Sequence, residues 1–154
     1  MRTGLAAFIV AGALLSGGPS FAVDLASADD AKAMLDRAIA ALKADPAAAI
    51  KAFNDEKNKD FHDRDLYVFC FSLPEGNFTA YLSPVLIGTS VRELKLPPND
   101  PIGQRAYDAV AKAPEGEVVS LEYMFPKPKT KDPVTKESIE VRIGNQACGI
   151  SYFK

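Results

Sequence analysis

Tryptophan is absent from this 154-residue chain, histidine occurs once, and there are only two cysteines. That supply excludes zinc fingers and other metal centres built from several imidazoles and thiolates. Basic residues show no excess, with 18 Lys and Arg against 20 Asp and Glu for a formal net charge of −2. A nucleic-acid binder is therefore not expected, because phosphate neutralisation needs a strong positive surplus. Internal repeats are missing, as are the Gly-x-Ser-x-Gly elbow, the Gly-x-x-x-x-Gly-Lys phosphate loop and the His-Glu-x-x-His zinc motif. What is present is a globular mixture, 47% hydrophobic and 25% charged. It suffices for one domain with a real core, is too short for two, and is unlike a disordered chain.

The single long apolar run lies at the start. Arg2 precedes Leu5 to Leu15, which is apolar throughout apart from Gly12, and Ser16, Gly17, Gly18 and Pro19 then break it. Small residues at Ser20 and Ala22 complete the three-part layout of a cleaved secretory signal. A membrane anchor needs roughly 20 continuous apolar residues. Residues 1–22 are accordingly expected to be a signal peptide cleaved after Ala22, with a weaker second site in Ala26-Ser27-Ala28, leaving a single domain over 23–154. Loss of Arg2 leaves 17 basic and 20 acidic residues, a net of −3. No second apolar run follows, so the mature chain is expected in the periplasm or the medium and not inserted in a membrane. In an oxidising compartment Cys70 and Cys148 are a disulfide candidate, the alternative being two buried free thiols.

Residues 29–44 repeat apolar side chains at Ala31, Met34, Leu35, Ala38, Ile39 and Leu42, a spacing that predicts an amphipathic helix. Ser27 and Asp30 form a capping pattern, and Asp45-Pro46 opens a second short helix presenting Ala49, Ile50 and Phe53. Residues 66–73 read as one strand, apolar on both faces and so central in a sheet, with a turn at Pro74-Glu75-Gly76-Asn77 and a return strand over 78–82. Residues 83–100 form an irregular crossover and 102–113 a helix. Strands follow over 117–124, 136–143 and 147–153, the last two joined at Gly144-Asn145. The order predicts an α+β domain with an antiparallel sheet.

His62, the only histidine base available, sits in Asp60-Phe61-His62-Asp63-Arg64-Asp65. The spacing matches no metal loop, so the segment reads as a solvated approach to the strand, with no metal and no cofactor expected. Asn77-Phe78-Thr79 is a formal glycosylation acceptor, relevant only in a eukaryotic host. Charge is more informative: residues 124–136 carry Lys127, Lys129, Lys131 and Lys136 against Asp132, a local +3 on an acidic chain. Such a hairpin attracts small anions. Lys127 and Lys136 are placed to point inward, and Lys129 and Lys131 to be solvated. Tyr67, Phe69 and Phe71 share one strand face, and Tyr81, Tyr107, Tyr123 and Phe125 add further aromatic surface suited to lining a small-ligand pocket.

Taken together, Asp65-Leu66-Tyr67-Val68-Phe69, Glu75-Gly76, Ser83-Pro84-Val85-Leu86-Ile87-Gly88, Glu122-Tyr123-Met124-Phe125-Pro126-Lys127-Pro128, Lys136-Glu137-Ser138 and Gly149-Ile150-Ser151-Tyr152 resemble, in order and spacing, the single Cache domains of bacterial extracytoplasmic sensors. The resemblance spans roughly residues 30–154. It implies a PAS-like five-stranded antiparallel sheet behind a long N-terminal helix, with a helical crossover and with first and last strands adjacent. That adjacency would place Cys70 beside Cys148. It also implies a pocket for a small organic ligand, often a carboxylate, lined here by Tyr67, Phe69, Tyr81, Tyr123, Lys127 and Lys136. Tyr81 and Ile139 stand where members usually carry histidine and often carry tyrosine, and both are expected at ligand positions. The expectation is an exported stand-alone binding domain, not an enzyme, that works with a separate membrane-bound signalling partner. The alternative is a ligand-free interaction or structural module.

Overall fold

The computed structural model describes residues 24–154, so the expected signal peptide over 1–22 lies outside the described residues. Ser27 starts α1 (Ala28–Ala44) through the capping box read from the sequence: Asp30 N donates to Ser27 Oγ at 3.2 Å, and Ser27 N to Asp30 Oδ2 at 2.8 Å. Asp45 ends that helix and caps α2 (Pro46–Phe53), accepting from Ala48 N at 3.0 Å. Among the described residues no helix is long and apolar enough to cross a membrane.

The strand expected over 66–73 is divided. β1 (His62–Asp63) and β2 (Leu66–Tyr67) make a two-residue hairpin of their own, and β3 (Phe69–Ser72) joins the main sheet. The break falls at Val68, whose N–H leaves the main ladder to donate to Phe61 O at 3.3 Å. β4 (Phe78–Ala80) returns beside β3 across a register shift. Two 3-10 turns, Pro84–Leu86 and Val91–Glu93, structure the crossover before α3 (Ile102–Lys112). β5 (Val118–Pro126), β6 (Pro133–Ile143) and β7 (Gln146–Phe153) complete an antiparallel sheet of order β4-β3-β7-β6-β5. The middle strand is therefore β7, not the first long strand, which sits second from one edge. The β5–β6 ladder runs on to the Pro126–Pro133 pair, beyond the expected ends. This shortens the lysine-rich loop to residues 127–132, closed by Lys127 N donating to Asp132 O at 2.8 Å.

Strand pleating gives the sheet two different faces. Ile139, Val141 and Ile143 of β6 and Cys148, Ile150 and Tyr152 of β7 join Met34, Leu35, Ala38 and Leu42 of α1 in the larger core. On the other side Phe69, Phe71, Phe78 and Ala147 pack with Val91 of the crossover and Val110 of α3. The Cys70–Cys148 disulfide is formed, with an S–S length of 2.07 Å. It joins residues directly opposite in the β3–β7 ladder with Cα atoms 4.1 Å apart, within the α1-facing core. Over the other face, α3 lies hard against the crossover. A Cβ built on Gly103 would stand 1.7 Å from Val91 O and 2.8 Å from Leu94 Cβ.

Two stability outcomes follow. The disulfide spans a sequence separation of 78, and replacing both cysteines by alanine is expected to cost about 4 kcal/mol through the freed unfolded chain, read as a lower urea midpoint. Gly103→Ala is expected to cost about 3 kcal/mol by forcing α3 off the crossover, measured the same way in the oxidised protein.

Candidate functional site

Alternation along β6 sets Lys136, Ser138 and Glu140 on the face opposite Ile139 and Val141, beneath the crossover and α3. The cross-strand rungs pair Lys136 with Tyr123 and Phe153, Ser138 with Ser151, and Glu140 with Gly149. Side chains from this strip form the floor of a cavity of about 90 Å³. Its walls are aromatic (Tyr67, Phe69, Phe78, Tyr81, Tyr123 and Phe125), and its roof is apolar, supplied by Val91, Leu94 and Leu96 of the crossover and Ile102 and Ala106 of α3. A buried water needs about 10–15 Å³ by the same kind of measure, and a 150 Å³ apolar cavity holds benzene. The space here is several waters in size and is partly open to solvent.

The aromatic walls brace one another. Tyr81 meets Tyr67 edge-on with centroids 5.6 Å apart and Phe78 with centroids 5.0 Å apart. Tyr123 and Phe125 are nearly perpendicular at 6.3 Å. Burial pushes the Tyr67 hydroxyl well above the ordinary phenol range, reinforced by Tyr81, and pushes that of Tyr123 up to about 12. Both are neutral hydrogen-bonding groups at any physiological pH.

Two floor residues are ionisable and buried. Lys136 is 6% exposed, with Nζ 4.7 Å from the Phe153 ring centre and 5.1 Å from that of Phe125. Those π faces attract a cation. Burial lowers its pKa, partly offset by the negative field of Asp65. Glu140 is 2% exposed, and its Oε1 accepts from Ser138 Oγ at 2.7 Å, while Oε2 is buried with no hydrogen-bond partner. Burial raises its pKa to about 7, against the opposing effect of the Ser138 hydroxyl. Gly149 makes room for this carboxylate: a Cβ there would stand 2.6 Å from Glu140 Cγ and 2.7 Å from Phe69 Cζ. Among the described residues, neither Lys136 nor Glu140 takes part in an ion pair.

Five of the six residues singled out from the sequence (Tyr67, Phe69, Tyr81, Tyr123 and Lys136) meet at this cavity. Lys127 does not line it, because the extended β5–β6 ladder carries it past the strand end into the hairpin turn. Ile139 faces α1 instead of the cavity. His62 is not solvated either. It is buried, and its Nε2 donates to Phe53 O at 2.6 Å, which assigns the proton to that nitrogen. Among the described residues no group of three or more His, Cys, Asp or Glu side chains is placed to hold a metal. Glu140, Ser138 and Ser151 are the members that sequence reasoning missed. The available signal was the polar series at 136, 138 and 140 within a strand whose other face is Ile139, Val141 and Ile143.

No protein-family model matches the sequence, and no curated protein does. Solved structures do match in fold. A methyl-accepting chemotaxis protein from Vibrio parahaemolyticus superposes with a TM-score of 0.61 at 18% identity, covering 81% of this chain and 86% of that one. A periplasmic sensor domain of a chemotaxis protein gives 0.56 at 18% identity over 81% and 88%. A third structure, described as the basis for carboxylic acid recognition by a Cache chemosensory domain, gives 0.53 at 17% identity over 78% and 83%. The chain has the Cache fold. In this Cache fold the cavity lies between the sheet face and the crossover, and the disulfide lies on the opposite side of the sheet.

Glu140 makes a pH-dependent contribution to stability. Unfolded, it loses its proton near the ordinary carboxyl value; folded, near 7. Between those values the native state holds a proton that the unfolded chain has shed, so stability falls as pH rises through the window, and the full cost applies above 7. Glu140→Gln is expected to stabilise the ligand-free protein by roughly 2–3 kcal/mol at pH 8 and by almost nothing at pH 4. Urea unfolding at the two pH values measures the difference.

Proposed function

We propose that this protein is an extracytoplasmic sensing domain that binds a small carboxylate in the cavity beneath the crossover, without chemical turnover. The observation that carries the reading is Lys136: a buried ammonium, with no ion pair among the described residues, at the floor of an aromatic-walled cavity. An ammonium in that setting is poorly solvated and draws an anion to it. Tyr67, Tyr81 and Tyr123 add neutral hydroxyl groups around the same space, and Phe69 adds apolar surface. The fold shared with periplasmic chemotaxis sensors supports a sensing role, and the carboxylic acid recognition described for one of them supports the ligand class. The disulfide supports an oxidising, extracytoplasmic address, periplasmic or secreted. A separate membrane-bound partner would read the bound state through differential affinity for the liganded form.

A second reading, a ligand-free interaction module, rests on the exposed apolar side chains Leu82, Val85 and Ile87 of the crossover, of which Val85 is 79% exposed. A thermal-shift screen against short mono- and dicarboxylates separates the two. Binding is expected to raise the Tm as ligand exceeds its Kd, and a flat response at millimolar ligand overturns the carboxylate reading in favour of the module. Lys136→Met keeps the apolar stem and removes the charge. It is expected to weaken any carboxylate hit by at least about 30-fold, in keeping with the 2–5 kcal/mol lost with a buried charged partner, as measured by titration calorimetry.

A further inference from the structure

Lys136 attracts an anion as an ammonium, yet the same surroundings favour its uncharged form. Its Nζ stands over two ring faces, 4.7 Å from the centre of Phe153 and 5.1 Å from that of Phe125, and the side chain is buried. Among the described residues it makes no ion pair. Burial outweighs the field of Asp65, so this amine sheds its proton more readily than an exposed lysine does. It is not walled off. The sealed side-chain atoms without a hydrogen-bond partner among the described residues are Asp65 Oδ2, Glu140 Oε2 and Arg142 Nε. Lys136 Nζ is not one of them, and the residue lines the cavity. A lysine desolvated in an apolar pocket, and reachable from it, is set up to act as a nucleophile. Lys129 and Lys131 of the hairpin turn are exposed and lack that setting.

We infer that Lys136 is a covalent capture site for short uncharged aldehydes, which it holds as a reversible imine. The inference goes beyond the carboxylate reading, since it uses the same cavity but no anion. The ammonium first gives one proton to solvent. Its nitrogen lone pair then forms the C–N bond while the C=O π pair moves to oxygen, and a proton passes from nitrogen to that oxygen. Solvent returns a proton to the new hydroxyl, which leaves as water as the nitrogen pair closes the C=N bond. One ammonium and one aldehyde thus give one iminium ion and one water, with no net proton change and no oxidant or reductant. Phe125 and Phe153 face the iminium cation as they face the ammonium. The aromatic walls and apolar roof favour an uncharged carbonyl compound over a 2-oxo acid, whose carboxylate would hold the amine protonated.

The test incubates the purified, oxidised protein with propanal and sodium cyanoborohydride at pH 7 and locates the trapped propyl groups by peptide mass spectrometry. A lysine pKa lowered by about one unit raises the free-amine fraction roughly tenfold. Lys136 is therefore expected to be alkylated at least about 10-fold faster than Lys129 or Lys131, and urea is expected to abolish the preference. Reaction at Lys136 no faster than at the hairpin lysines overturns the inference, as does a preference that survives unfolding. Without reductant, propanal labelled with carbon-13 at the carbonyl is expected to give a protein-bound imine resonance that Lys136→Met lacks; its persistence in that variant also overturns the assignment. Excess propanoate is expected to slow alkylation at Lys136 and at no other lysine. Selective alkylation that propanoate leaves unslowed upholds the capture site and counts against the carboxylate reading. A propanoate-induced rise in Tm without selective alkylation does the reverse, so the two readings fail separately.

Discussion

The register between β6 and β7 is the constraint on which both the core and the cavity rest. Eight consecutive rungs, from Lys136–Phe153 to Ile143–Gln146, fix which side chains of the two strands share a face. A slip of one residue would send Ile139, Val141 and Ile150 to the cavity side and drive Lys136, Ser138 and Glu140 into the helix-packed core. The Gly144-Asn145 turn sets that register from one end, with Gly144 at φ 60°. From the other flank β3 holds β7 through four rungs, one of them the disulfide. The covalent link thus stands one strand away from the polar strip, on the opposite side of the sheet.

That arrangement explains how the domain tolerates two buried ionisable groups on one strand. The α1 face carries most of the apolar burial, with Met34, Leu42, Phe53, Val141, Cys70, Cys148 and Ile150 at most 2% exposed. The opposite face is a smaller cluster with an incompletely filled centre. Desolvation of Lys136 and Glu140 subtracts from stability, and the larger core offsets it. A strip of polar groups held by a rigid strand under an apolar roof is pre-organised for recognition, because the cost of arranging them is met during folding.

Much of this was legible in the residues, for local reasons. The capping box at Ser27, the restart at Asp45-Pro46 and the Gly144 turn depend on neighbours within a few positions, and each stands where the pattern put it. The aromatic positions and Lys136 were legible because strand alternation sorts them onto one face. Glu140 was not, since a strand reading Lys-Glu-Ser-Ile-Glu-Val-Arg-Ile looks like one with a solvated polar side. What buries that side is a roof from Val91 to Ala106, remote in sequence. The break at Val68 was hidden for the same reason, its partner being the carbonyl of Phe61. Lys127 was misplaced because pairing beyond Met124, through Phe125–Val134 and Pro126–Pro133, is decided between strands and not within either.

The missing side chain at Gly103 has a mechanical meaning. With Val91 O occupying the space a Cβ would fill, and Gly103 N donating to Leu94 O at 3.1 Å, crossover and helix form one stiff plate. The plate is fastened at two margins: Val91 N donates to Gly76 O at 2.7 Å on the hairpin side, and Arg105 Nη2 to Glu122 O at 2.9 Å on the β5 edge. Val91, Leu94 and Ile102 on the underside of that plate are therefore fixed to α3 as a whole and do not belong to an independent loop.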